Sequence, residues 1–208
     1  MQRDVRWTNF NTLTWKQKVK KHNYDVMLGH EVSYKSTEYL LGEAMGFPFD
    51  QMENDNMGLG ATPSKVESTY YDKTLLSFYA RANYNYDNRY LFTATVRADG
   101  STVFSSNKKW GFFPSFSAAW RVSEEAFMKD IKWISNFKIR LGWGTVGNDN
   151  IPNYLSLDLY EANKYGIGNS SVTVLNPKQL RNKNLKWEGS NTTNLGIDLG
   201  FFDNRLNL

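Results

Sequence analysis

The 208 residues contain no cysteine and only two histidines. Disulfide staples are therefore excluded, and a histidine-rich metal centre has little to draw on. No run of about 18 apolar residues occurs, so no transmembrane helix is available. The basic residues behind the net charge of +4 are dispersed, apart from Lys16 to Lys21 and Lys108-Lys109. A clustered nucleic-acid footprint is missing. No nucleophile, base and orienter stand at a recognisable spacing, so the sequence offers no enzyme reading and no catalytic residue. Gly142, Gly144 and Gly147 match the dinucleotide fingerprint letter for letter, but the phosphate-holding helix that should follow is replaced by Asn148-Asp149-Asn150-Ile151-Pro152-Asn153. No cofactor is expected; glycines on that face leave room for something inside.

What the chain does have is alternation. Residues 75–121 read as three strands. Leu76, Phe78, Ala80, Ala82, Tyr84 and Tyr86 oppose Ser77, Tyr79, Arg81, Asn83 and Asn85. Tyr90, Phe92, Ala94, Val96 and Ala98 oppose Leu91, Thr93, Thr95, Arg97 and Asp99. Trp110, Phe112, Pro114, Phe116, Ala118 and Trp120 oppose Gly111, Phe113, Ser115, Ser117, Ala119 and Arg121. Because successive side chains of a strand point to opposite faces, this is a sheet with one apolar and one wet side.

The flanks continue the pattern. Leu13, Trp15 and Val19 line one face of a strand over residues 7–19. After a turn at 20–23, Tyr24, Val26, Leu28, His30, Val32 and Tyr34 line the next. His30 falls in the apolar register and reads as a surface or interface residue, since only His22 could join it as a metal ligand. Further on, Phe137, Ile139, Leu141 and Trp143 oppose Lys138, Arg140 and glycines, and Leu195, Ile197, Leu199 and Phe201 oppose Asn194, Gly196, Asp198 and Gly200. Ser123 followed by Glu124 and Glu125 reads as the capped start of a short helix, the carboxylates complementing its dipole.

Two stretches, 41–72 and 148–184, read as long irregular loops. The first includes Asp50, Glu53 and the run Asn54-Asp55-Asn56, which does not meet calcium-loop spacing and reads as solvated. Counting connections along the chain, 20–23, 41–72, 87–89, 100–109, 122–136, 148–184 and 202–205 run short, long, short, medium, short, long, short. An up-and-down meander puts the tight turns at one end and the long loops at the other, the asymmetry of an outer-membrane β-barrel. A strand of about 13 residues, tilted near 45°, covers the roughly 30 Å of a hydrocarbon core. On this reading Phe78, Phe92, Phe116, Ile139 and Ile197 face lipid, and Arg81, Arg97, Asp99, Arg121, Arg140 and Asp198 face a lumen or plug, mainly pairing with one another or with the plug. The competing reading is a soluble all-β carbohydrate-binding module in which the apolar faces form a core.

Several linked segments carry a resemblance. They are Arg97 through Phe104 (RADGSTVF), Asn107, Trp110 through Ser115 (WGFFPS), Ala119-Trp120-Arg121, Ser123 through Phe127, Ile139 through Asn148, Leu185 through Glu188 and Asn194 through Asp198. In this order they resemble the SusC/RagA family of TonB-linked outer-membrane transporters. The resemblance implies a slice of about eight strands from a barrel of about 22, plugged by a separate N-terminal domain. It further implies import of oligosaccharides or peptides across the outer membrane of Bacteroidetes-type bacteria, with a SusD-like surface lipoprotein as lid and TonB as the energy link. Residues 1–208 are expected to be part of that barrel domain. Met1 to Thr8 lacks the apolar core of a secretory leader, and a new strand starts at Leu206. The expectation is therefore a fragment without leader, plug or closing strand.

Overall fold

The computed structural model describes residues 1–49, 56–168 and 170–208. Asp50, Glu53, Asn54 and Asp55 of the first long loop lie outside the described residues. Among the described residues ten strands appear: β1 (Gln2–Val19), β2 (His22–Met45), β3 (Thr62–Tyr86), β4 (Tyr90–Ser101), β5 (Trp110–Arg121), β6 (Ile134–Asn148), β7 (Leu159–Ile167), β8 (Ser170–Gln179), β9 (Glu188–Phe201) and β10 (Leu206–Asn207). Eight form one sheet in the order β1-β2-β3-β4-β5-β6-β9-β10, and β7 and β8 form a separate hairpin. The pairs β3–β4, β4–β5, β5–β6, β6–β9, β9–β10 and β7–β8 are antiparallel. This is an up-and-down meander.

The chain divides into two compact units, residues 1–9 with 33–74 and residues 10–32 with 75–208. In the first, Asp4 accepts a hydrogen bond from Thr37, Leu40 N donates to the Met1 carbonyl at 2.9 Å, and the Trp7 and Tyr34 rings lie 6.2 Å apart. A 3₁₀ turn at Met57–Leu59 is capped by Asn56, whose side chain accepts from Gly58 N. Most of this unit lies within the stretch expected to be irregular. Gly42 sits inside β2 and Pro63 is the second residue of β3. Side chains here are wet on both faces, so alternation vanishes although the ladder bonds persist.

The second unit holds the central sheet. Its register puts Tyr86 opposite Tyr90, Tyr90 opposite Trp120, and Trp120 opposite Ile139, which pairs with Ile197. Farther along, Ala82, Ala94, Phe116 and Trp143 share a row, and Phe78, Ala98 and Phe112 another. One apolar face thus runs without interruption from β3 to β9. It is not a core. Phe78, Phe92 and Phe116 are 50%, 40% and 44% exposed, and among the described residues the buried apolar side chains are Val103, Phe104 and Val122. A soluble sandwich would need these faces packed together.

Tight turns at 20–21, 87–89 and 202–205 use residues with positive φ, among them Lys20, Asp87, Asn88, Asp203 and Asn204. Asp and Asn tolerate this left-handed region better than most residues. The connection at 122–133 carries two 3₁₀ turns, Val122–Glu124 and Ala126–Met128, instead of a short helix, and Ser123 lies inside the first rather than capping it. Nor is the stretch 148–184 wholly irregular. Its Ser- and Asn-rich sequence contains β7 and β8, paired from Ile167↔Ser170 to Leu159↔Gln179 with a bulge near Tyr160.

Candidate functional site

The polar face of the second unit is ordered by the same register. Ser77, Asp99 and Gly111 form one row, Tyr79, Arg97 and Phe113 the next, and then Arg81, Thr95, Ser115, Gly144 and Thr192. Arg97 organises this face. Its Nε donates to both Asp99 oxygens at 2.7 and 2.9 Å, one Nη donates to Ser77 Oγ at 2.8 Å and reaches Glu31 at 3.3 Å, and its guanidinium lies 5.6 Å from the Tyr79 ring centre. Asp99 is 7% exposed and Ser77 is fully buried. A buried carboxylate needs such partners, and the fork of Arg97 supplies them.

Arg140 forms a second pair with Asp198, its guanidinium lying over Gly196, the residue opposite it in the ladder. Arg81 stands exposed in the Thr95 row. Arg121 lies apart from these groups, paired with Glu124 at 3.1 Å and donating to the Asn88 carbonyl at the tight-turn end. The six charged positions expected on one face therefore separate into the Arg97–Asp99 pair, the Arg140–Asp198 pair, Arg81, and a turn-bound Arg121. Glu31, Ser77 and Tyr79 complete the Arg97 network. Glu31 is 66 residues away in sequence, so only knowledge of strand pairing would have found it.

Two concavities open on the polar face. One, of about 560 Å³, is lined in part by Lys16, Asp25, Asn83, Asn85, Leu91 and Thr93. The other, of about 550 Å³, includes Thr95, Arg97, Asp99, Phe113, Thr192 and Asn194. Two of the fingerprint glycines, Gly144 and Gly147, border the second, each for a steric reason. A Cβ at Gly147 would stand 2.0 Å from the Phe113 ring, and one at Gly144 would stand 2.9 Å from Ser115 Cβ. The room left at Gly147 is thus filled by an aromatic ring of the same sheet. A bulky ring between Gly111 and Ser115 on a wet face was the sequence signal for this.

At the tight-turn end, on the apolar face, aromatic rings form a row: His22 to Tyr86 at 4.9 Å, Tyr86 to Tyr90 at 6.3 Å, and Tyr90 to Trp120 at 6.5 Å. Glu125 anchors it, accepting from Tyr90 Oη at 2.7 Å and Trp120 Nε1 at 3.1 Å and pairing with Arg89 at 3.3 Å. These bonds, from the Tyr90 hydroxyl first and the Trp120 indole second, hold the Glu125 carboxyl below its ordinary value. Glu125 therefore ties its connection to β4, β5 and the turn at Arg89, and Glu124 pairs locally with Arg121, in place of the helix-dipole role expected of both. His30 in the apolar register contacts Asn11 Nδ2 at 3.3 Å and lies 6.4 Å from the Phe78 ring.

The sequence pattern of the family described as "TonB dependent receptor-like, beta-barrel" matches residues 2–208. The chain belongs to this family. Among relatives of this TonB-dependent receptor barrel, TonB-dependent receptor P3 of Formosa agariphila is 34% identical over 198 residues, covering 95% of this chain and 20% of the relative. TonB-dependent receptor SusC of Bacteroides thetaiotaomicron is 44% identical over 138 residues, covering 64% of this chain and 14% of SusC. The RagAB peptide transporter structure superposes with a TM-score of 0.89 at 28% identity, covering 99% of this chain and 23% of that one. The chain thus spans about a fifth of the length of P3. The fold and the SusC/RagA likeness expected from the motifs both hold, and the chain is part of an outer-membrane β-barrel.

Proposed function

We propose that the chain is wall of a transporter that imports oligosaccharides or peptides across the outer membrane, with a SusD-like surface lipoprotein as its lid and TonB supplying energy through a plug-bearing N-terminal part. On this reading residues 1–208 belong to the barrel domain of a longer protein. Phe78, Phe92, Phe116, Ile139 and Ile197 face lipid. Arg81, Arg97, Asp99, Arg140 and Asp198 face the lumen or plug, and Arg121 braces a tight turn at its rim. On this reading the charges of the polar face mainly brace the wall by pairing with one another or with the plug, and none is assigned a catalytic role.

The observation that carries this reading is the height of the exposed apolar face. Along β5 it runs from Trp110 to Trp120. Ten residue steps at about 3.3 Å, tilted near 45°, give roughly 23 Å, close to the apolar band of an outer-membrane barrel with an aromatic girdle at each rim. The relatives named as receptors and as a peptide transporter supply the transport class.

The test is growth of the source bacterium on single oligosaccharides and peptides as sole carbon source. Deleting the complete receptor gene should abolish growth on at least one of them, and removing TonB should abolish growth on the same one. Unchanged growth across a broad panel would remove support for the import role.

A further inference from the structure

The chain leaves the eight-stranded sheet at Asn148 and re-enters it at Glu188. These two are register partners, and Asn148 Nδ2 donates to Glu188 Oε2 at 3.0 Å. Residues 149–187 are therefore an excursion with a closed base, and its last residue is Trp187. The Trp187 ring lies 5.2 Å from Phe104 and 5.3 Å from Phe113, and its Nε1 donates to the Lys109 carbonyl at 2.8 Å.

Phe104 and Lys109 belong to a different connection, the one between β4 and β5. That segment is closed on itself by Ser101 N donating to the Lys109 carbonyl at 3.1 Å and Lys108 N donating to Ser105 at 2.9 Å. Phe104 is 2% exposed, the most buried large side chain among the described residues. Phe113 belongs to the wall itself, seated where Gly111 and Gly147 lack a Cβ. Three rings from two connections and one strand thus meet at a single point. Aromatic contacts of this kind contribute beyond the area they bury. Among the described residues the strands of the hairpin β7–β8 within the excursion pair with each other and with no third strand, and an isolated two-stranded hairpin is marginal in water.

We propose that Phe104, Phe113 and Trp187 form a latch. It fastens the 102–109 connection and the base of the 149–187 excursion to the wall and to each other, so both open as one unit, while the hairpin moves as an arm beyond the fixed base. Local opening of this kind is read by amide hydrogen exchange.

The experiment is exchange measured by mass spectrometry on the complete receptor in outer-membrane vesicles. Trp187→Ala should speed exchange in 102–109 as well as in 180–187 by at least about tenfold, and Phe104→Ala should do the same in both segments. The double variant should add little to the larger single effect. If either substitution leaves the other connection at its native rate, the latch is overturned. Trp187→Phe covers the case in which alanine blocks assembly, since it keeps a ring while removing the donor to Lys109 and part of the indole's contact area. It should speed both segments to a smaller degree, and acceleration confined to 180–187 would equally overturn the proposal.

Discussion

Replacing Phe116 by Arg should destabilise the complete barrel by about 2–4 kcal/mol, whereas Ser117→Arg, one residue along the same strand, should be mild. Phe116 shares its row with Ala94 and Trp143, midway between the Trp110 and Trp120 rims of the exposed face. On the proposed lipid face, a guanidinium placed there would enter hydrocarbon or drag water to it. Ser117 lies opposite Thr93 and Gly142 on the polar face, where a charge keeps its solvent. The check is urea unfolding of the folded receptor in lipid, read by its heat-sensitive mobility on gels. Equal losses for the two variants would contradict the assignment of faces.

A second large effect is expected at Arg97. Arg97→Met leaves the Asp99 carboxylate, 7% exposed, and the fully buried Ser77 hydroxyl without their principal donor. Removing one partner of a buried ion pair costs about 3–5 kcal/mol. Because the Arg97 side chain itself is 35% exposed, solvent recovers part of this, and about 2–3 kcal/mol is expected. Arg81→Met, at an exposed position on the same face, should change stability by no more than about 0.5 kcal/mol. Adding Asp99→Leu to Arg97→Met should restore part of the loss, because the orphaned carboxylate is then gone. An Arg97→Met variant as stable as Arg81→Met would show that the network contributes nothing to the wall.

The central strands were legible because one face carries apolar and the other polar side chains, so the period of two is written in the sequence. Phe78, Phe92 and Phe116 fall on one face in the sequence and in the register alike. Where both faces are wet, the signal disappears while the backbone ladder does not. The outer parts of β2 and β3 therefore read as loop despite being strand. The hairpin β7–β8 was hidden for a related reason, since Ser, Asn and Gly dilute its short β-branched run Val172-Thr173-Val174. The partners of individual charges were illegible for another reason. Arg97 meets Glu31 only because β2 lies beside β3, and a local pattern cannot state a neighbour 66 residues away. Glu125 misled in the opposite sense. Its place after Ser123 imitates a helix start, yet its acceptors are committed to Tyr90 and Trp120 on adjacent strands.

The wall reading rests on which face meets the bilayer, and the 208 residues, free of cysteine, suit a direct measurement. Single cysteines at Phe116 and Ser117, with any cysteine elsewhere in the receptor removed, would be labelled with a fluorophore in intact outer membranes. The label at 116 should be quenched by brominated lipid and spared by aqueous iodide, and the label at 117 should show the reverse. Iodide quenching at 116 without lipid quenching would place that face in water and contradict the account.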